Sequence, residues 1–292
     1  MAYYRLSAFA DEAAEDLDGQ IAALRRNGLS FMEIRGTEFG PVDLISDKTA
    51  GEIGKKLAAA GIGLSALGSR LGKTEIGKSF GASLESLKRL CEICHILGTD
   101  RIRMFSYFIP REDDPALWRE EVLKRMRGLV ACAAAEGVTL CHENEARIYG
   151  EKPEQVLDLH ENVPGLAGVY DPSNYRVADA DFDFALEKVM PFITYLHVKD
   201  CTKDHVIVPA GEGDGRLSEM LLRHNALYAG ESFLTVEPHL KAFLGYSDID
   251  THELKNRHRF ENNGEAFDYA VNALKGLLAA DGFTEGEKGW TK

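Results

Sequence analysis

The sequence is short of everything that would place it in a membrane or on a polyanion. No stretch approaches the apolar length needed to span a bilayer, and the first residues, MAYYRLSAFADE, lack the basic region and apolar run of a secretory signal. A cytoplasmic protein with no membrane partner is therefore the expectation. Positive charge is scarce: 34 Lys and Arg face 47 Asp and Glu, a formal net charge of −13. A protein whose main work is gripping nucleic acid needs a basic face, so no nucleic-acid partner is expected. Cysteine is sparse too. Cys91, Cys94, Cys132, Cys141 and Cys201 are odd in number and scattered, which suits reduced thiols and not a disulfide framework. Cys91 and Cys94 form a CxxC without a second pair, and they share the spacing of Leu84, Leu87, Leu90 and Leu97, the apolar face of a helix. No internal repeat or low-complexity tract is present.

What is present is a regular alternation. With 45% of 292 residues apolar, the chain can bury one large core, and a single domain over residues 1–292 is expected. Strands are predicted at Tyr4 to Phe9, Leu29 to Ile34, Ile62 to Leu67, Arg101 to Phe105, Val138 to Cys141, then ending at Asp171, His197 and Glu237. Helices are predicted at Asp11 to Asn27, Ser46 to Ala60, Leu84 to Leu97, Pro115 to Glu136, from Pro153, and at Phe182 to Val189, Leu217 to Tyr228 and Glu265 to Ala279. Eight strands alternating with eight helices is the pattern of a (β/α)8 TIM barrel, an α/β fold. Lys241 to Gly264 is a long polar segment after the eighth strand. It is either a lid, binding loop or oligomer contact that brings Lys255, Arg257, His258 and Arg259 to an anionic group, or a solvated turn.

Four stretches carry the chemistry. VTLCHENEARIYG, residues 138–150, runs from an apolar strand into Glu143 and Glu145. Taken alone it reads more readily as the start of a solvated loop, but the design recurs in GVYDPSN with Asp171, FITYLHVKD with His197 and FLTVEPH with Glu237. In a TIM barrel the C-terminal strand ends face one mouth, so Glu143, Asp171, His197 and Glu237 would converge there. Three carboxylates and one imidazole suit Mn²⁺, Mg²⁺ or Co²⁺, with Zn²⁺ a further option. Such an ion would leave positions for two substrate oxygens, polarise a carbonyl and acidify the neighbouring C–H. Glu143 and Glu237 lie on strands separated by others, so one can remove a proton while the other returns one through an enediolate.

The set LCHENE, VYDPSN, LHVKD followed by GEGDG, and TVEPH resembles the xylose isomerase-like TIM barrels, a superfamily of sugar and sugar phosphate isomerases and epimerases. FADE near the start, MEIRG at strand two and IRMFSYFIP at strand four extend the likeness over nearly the whole chain. The resemblance implies a divalent metal on Glu143, Asp171, His197 and Glu237, with the two glutamates as catalytic acid and base and a small-molecule carbohydrate as substrate. Two positions depart from it. Asn174 and Glu145 stand where many members have histidine; both would touch substrate, which leaves a familiar ketose unsupported.

Glu33, Arg35, Lys73 and Arg103, at or beyond the ends of strands two to four, are expected to contact substrate or to form inter-strand salt bridges. Lys199, Lys203 and Glu212 follow His197 and would line the same mouth. His239 lies beyond Glu237, a place for supporting the site from the substrate side and not for ligating the ion. His95, His160 and His224 fall on helices and are assigned no chemistry. GEGDG lacks the spacing of a dinucleotide fingerprint and reads as a glycine-rich turn.

The leading expectation is an isomerase or epimerase of carbohydrate metabolism. The alternative is a metal-dependent lyase or dehydratase on a keto-sugar or keto-inositol, in which the same enolate expels a leaving group. An apurinic endonuclease would need further His and Asp ligands and a basic face, and the first four strand ends lack His. A carbohydrate-binding protein that merely keeps the barrel would lack the ligand set. Outer helices often pair subunits in such barrels, so a homo-oligomer is compatible with the sequence, with no symmetry fixed.

Overall fold

The computed structural model describes residues 1–243 and 257–292. Lys255, in the long polar segment, lies outside the described residues.

Eight strands form the centre: β1 (Ala2–Ala8), β2 (Phe31–Ile34), β3 (Gly63–Gly68), β4 (Arg101–Met104), β5 (Thr139–Glu143), β6 (Ala167–Tyr170), β7 (Ile193–Val198) and β8 (Gly230–Val236). They pair in parallel in the order β1, β8, β7, β6, β5, β4, β3, β2, and β2 lies against β1 to close the ring. Outside run α1 (Leu17–Arg26), α2 (Asp47–Ala60), α3 (Phe80–Leu97), α4 (Arg119–Ala135), α5 (Pro153–Asn162), the short α6 (Pro172–Val177), α7 (Leu217–Leu227) and α8 (Asn263–Ala280). This is the (β/α)8 barrel that the alternation predicts.

Strand periodicity sorts the side chains. Alternate residues point to opposite faces. Leu140, Tyr170, Leu196 and Leu234 join the large core beneath the helices, while Ala66, Cys141, Val169, Tyr195 and Phe233 form a separate cluster that fills the barrel. At its lower end the Phe31 and Phe233 rings lie 5.0 Å apart, with the Arg5 and Arg101 guanidinium groups over them at 4.8 and 5.4 Å. A filled interior leaves chemistry only the upper mouth.

Local signals set most boundaries. Ser46 caps α2 by accepting the Thr49 N–H at 3.1 Å, and Gly61 ends it at φ 72, a left-handed conformation suited to glycine. The first helix begins later than predicted: Ala10–Glu12 is a separate single turn, and α1 starts after Asp16, whose carboxylate accepts the Gly19 N–H at 2.8 Å. The predicted helix from Phe182 to Val189 is irregular, with a wide turn over Ala185–Val189 leading to Pro191. A C-terminal hairpin of Thr284–Gly286 and Gly289–Thr291, unforeseen in the sequence, pairs Trp290 with Tyr4 of β1.

Candidate metal centre

Each of the four motifs places its residue within one position of the end of a barrel strand. Glu143 is the last residue of β5, Asp171 and Glu237 follow β6 and β8, and His197 is the penultimate residue of β7. They share the inward parity of Cys141, Val169, Tyr195 and Phe233 below them, which brings all four to one point. One ligand atom from each lies within 4.8 Å of the others, and all four residues are buried. Asp171 is also the N-cap of α6: one carboxylate oxygen accepts the Asn174 N–H at 2.9 Å, while the other lies 3.0 Å from Lys199 Nζ. Asn144 fixes it further, exchanging two hydrogen bonds with the Asp171 backbone at 2.9 and 2.8 Å.

The donor set fits a divalent cation. Two atoms bound to one ion at ~2.0–2.2 Å can lie about 4.4 Å apart, so the observed spread closes on an ion with small side-chain shifts. Three carboxylates this close repel, and the surrounding cations answer them. His197 Nδ1 lies 3.1 Å from Glu143 Oε1 and 3.5 Å from Glu237 Oε2. Arg103 Nε lies 3.3 Å from the other Glu143 oxygen, Arg35 Nη1 donates to the other Glu237 oxygen at 3.1 Å, and Lys199 Nζ is 3.4 Å from Glu237 Oε2. Burial alone would raise the Glu143 pKa, but His197 and Arg103 outweigh it and bring it to about 2. Burial likewise pushes Glu237 up, but Lys199, His239 and His197 outweigh it, and its pKa falls well below the usual range. Asp171 is pushed up to about 7 by burial, against the pull of Lys199. An added divalent charge at this point would favour all three carboxylates as anions.

The residues expected around the mouth divide into three groups. Arg35, Arg103, Asn174 and Lys199 reach the cluster directly; Asn174 Nδ2 donates to Glu143 Oε1 at 3.3 Å. Glu33 meets the cluster from beneath through His197, and Lys73, Glu145 and His239 stand farther out. Lys73 Nζ donates to Glu145 Oε2 at 2.9 Å, and Glu33 lies beneath His197. The His239 N–H donates to Glu12 Oε2 at 2.7 Å, with its ring Nδ1 3.7 Å from Glu237 Oε1. Lys203 and Glu212 form the third group and are exposed. The Lys203 backbone N–H donates to Asp214, and Glu212 pairs with His258 at 3.0 Å, linking the loop after β7 to the segment after β8.

Some members of this network were not picked out in the sequence. Asp11 and Glu12, in the helical turn that follows β1, hold Arg35 with three bonds of 2.9–3.0 Å, and the Arg35 guanidinium lies 4.0 Å over the Phe9 ring. Burial pushes Glu12 up to about 8. Glu12, Glu237 and His239 also come within ligand reach of one another, but Arg35 already bridges the two glutamates. The FADE quartet carried that signal, since β1 opens on the same mouth as the others. GEGDG proves to be a turn wrapped around a carboxylate of the chain itself. Asp200 accepts the N–H groups of Cys201, Gly211, Gly213 and Gly215 at 2.9–3.0 Å, and a Cβ at Gly213 or Gly215 would collide with it.

A family model described as xylose isomerase-like TIM barrel matches residues 21–277. No curated protein sequence matches the chain. Among solved structures it is similar to the IolI protein with a bound zinc atom: TM-score 0.75, 15% identity, covering 94% of this chain and 98% of that one. It is similar to D-psicose 3-epimerase with D-tagatose from Clostridium cellulolyticum H10 at TM-score 0.72 and 16% identity, over 94% and 98% of the two chains. The probable 3-DHS dehydratase AsbF of petrobactin synthesis from Bacillus anthracis gives TM-score 0.71 and 16% identity, over 93% and 98%.

Proposed function

The chain belongs to the xylose isomerase-like TIM barrel family, and from that premise we propose that it is a divalent-metal-dependent isomerase or epimerase of an uncharged sugar or sugar derivative. The observation that carries this reading is the convergence of Glu143, Asp171, His197 and Glu237 within 4.8 Å at the mouth of a filled barrel. These four would hold the ion. When bound, it would polarise a substrate carbonyl and make the adjacent C–H more acidic.

The chain's own residues do the rest. Glu143 and Glu237 come from β5 and β8, on either side of β7, so one takes the proton from the substrate carbon while the other returns it. Arg103 and Arg35 hold the two glutamates in place. Asn174 and the Lys73–Glu145 pair present polar groups that suit hydroxyls. An uncharged substrate is favoured because Arg35, Arg103, Lys73 and Lys199 are each already ion-paired with a carboxylate of the site. A phosphate would have to compete with those carboxylates.

Dehydration is the second reading, and Lys199 is the observation in its favour. Its ammonium lies within the cluster, where it can donate a proton to a departing hydroxyl. One experiment separates the two. The Mn²⁺-loaded protein is incubated in D₂O with a panel of ketoses, keto-inositols and their phosphates. Solvent deuterium in a neutral sugar of unchanged formula supports isomerisation, loss of water supports the dehydratase, and turnover of phosphates alone contradicts the uncharged substrate.

A further inference from the structure

Glu33 has the wrong surroundings for a substrate contact. Its side chain is completely buried, below the four-residue cluster and not at its open side. Three groups converge on it. His197 Nε2 lies 3.2 Å from Oε2, the Tyr195 hydroxyl donates to Oε1 at 3.1 Å, and Arg103 Nε stands 3.8 Å from Oε1. The same imidazole turns its other nitrogen, Nδ1, to Glu143 and Glu237. His197 is therefore held from opposite edges, with Glu33 on the side away from the ligands. Phe9 meets the ring edge-on at a centroid distance of 5.2 Å, and Tyr195 meets it at 5.6 Å, so the ring cannot swing.

A carboxylate accepts hydrogen bonds and cannot donate them, so an imidazole beside it must present an N–H. The same rule holds at Nδ1, beside Glu143 and Glu237, while no ion lies between them; with an ion there, Nδ1 would give it its lone pair, and only Nε2, held by Glu33, would keep its hydrogen. We infer that Glu33 is a positioning residue, which with Tyr195 behind it sets the orientation and tautomer in which His197 offers Nδ1 to a divalent cation. The inference rests on the metal-centre reading above. It also accounts for a buried carboxylate, which destabilises a fold unless its oxygens are satisfied. Here both oxygens have partners: Oε1 meets Tyr195 and Arg103, and Oε2 meets His197.

The test is metal affinity and not turnover. Glu33→Gln keeps the side-chain volume but removes the charge and can offer an N–H in place of an acceptor. Zn²⁺ and Mn²⁺ affinities are measured by competition with a chromophoric chelator, alongside the circular dichroism and melting temperature of the metal-free proteins. The expected result is a 10- to 100-fold loss of affinity, as for other groups that orient a ligating histidine. In the Zn²⁺-loaded, ¹⁵N-histidine-labelled parent, His197 should show a low-field Nε2–H proton, which moves upfield in Glu33→Gln. Tyr195→Phe removes only the hydroxyl behind Glu33 and should cost about 2- to 10-fold, so the inference stays testable where Glu33→Gln fails to fold. Folded Glu33→Gln that binds metal like the parent, or that alters only the KM for sugar, overturns the inference and leaves the metal centre standing. A parent that takes up no divalent ion overturns both.

Discussion

Glu143 and Glu237 occupy the same environment twice over: each turns one oxygen toward His197 and the other toward an arginine. An acid and a base that exchange a proton across one substrate need this kind of matched setting, because each must serve in turn as donor and acceptor. Replacing either with Gln should lower kcat by roughly 10²- to 10⁴-fold, and incorporation of solvent deuterium should fall with it. Turnover retained in Glu143→Gln or Glu237→Gln would remove that glutamate from the chemistry. The quartet was legible in the sequence because strand parity repeats every two residues, so an apolar run ending in Asp, Glu or His declares which way that group faces. Depth was not legible. Glu33 and Arg35 share a parity on β2, yet Glu33 sits under His197 while Arg35 reaches Glu237, Asp11 and Glu12 above it. Parity gives the face, but height in a barrel depends on the stagger of neighbouring strands, which one sequence does not state.

Among the elements, the loop after β7 shows how a motif can be read in type and missed in purpose. The glycines of GEGDG do let backbone N–H groups approach an anion, but the anion is Asp200, four hydrogen bonds deep, and not a bound phosphate. Burial raises the Asp200 pKa, and the four N–H groups pull against that rise. Asp200→Asn would replace one acceptor oxygen with an NH₂ that meets N–H donors, leaving buried donors unpaired at a cost of about 1–3 kcal/mol each. Lower thermal stability and earlier proteolytic cleavage within residues 201–215 are the expected outcome. A variant as resistant as the parent would show that the loop holds without its carboxylate. Helix ends were legible wherever a residue beside the helix supplies the cap, as at Ser46 and Gly61. The start of α1 was not, because Asp11 and Glu12 suit a helix's first turn yet are drawn to Arg35 instead, and the helix waits for Asp16.

The whole molecule carries a net charge of −13, and its mouth shares the sign, since Asp11, Glu12, Glu33, Glu143, Glu145, Asp171 and Glu237 outnumber Arg35, Lys73, Arg103 and Lys199. No helix among the described residues is long and apolar enough to cross a membrane. Folding of such a barrel also fixes the protonation of buried groups far from the mouth. His160 on α5 is stacked on Phe192 at 5.1 Å, and His224 on α7 is hydrogen-bonded to the Tyr4 hydroxyl at 2.9 Å and lies 3.2 Å from the Ile193 carbonyl. Burial lowers both pKa values to about 4 from the ordinary 6.5. Above pH 6.5 neither the folded nor the unfolded chain protonates these rings, so they add no pH dependence. Below it the unfolded chain binds two protons that the fold refuses, so stability must fall as pH drops toward 4 and level off beneath. The loss is at most roughly 3 kcal/mol per histidine, because a tenfold difference in proton affinity between the folded and unfolded chain is worth about 1.4 kcal/mol. Urea unfolding at intervals between pH 7 and pH 4 should show this contribution as a stability difference between the parent and the double variant His160→Gln, His224→Gln that shrinks as pH falls, since His142, lowered to about 3, and Glu12, raised to about 8, titrate alike in both. A difference that stays constant across that window would mean that the two rings take up their protons without leaving the fold.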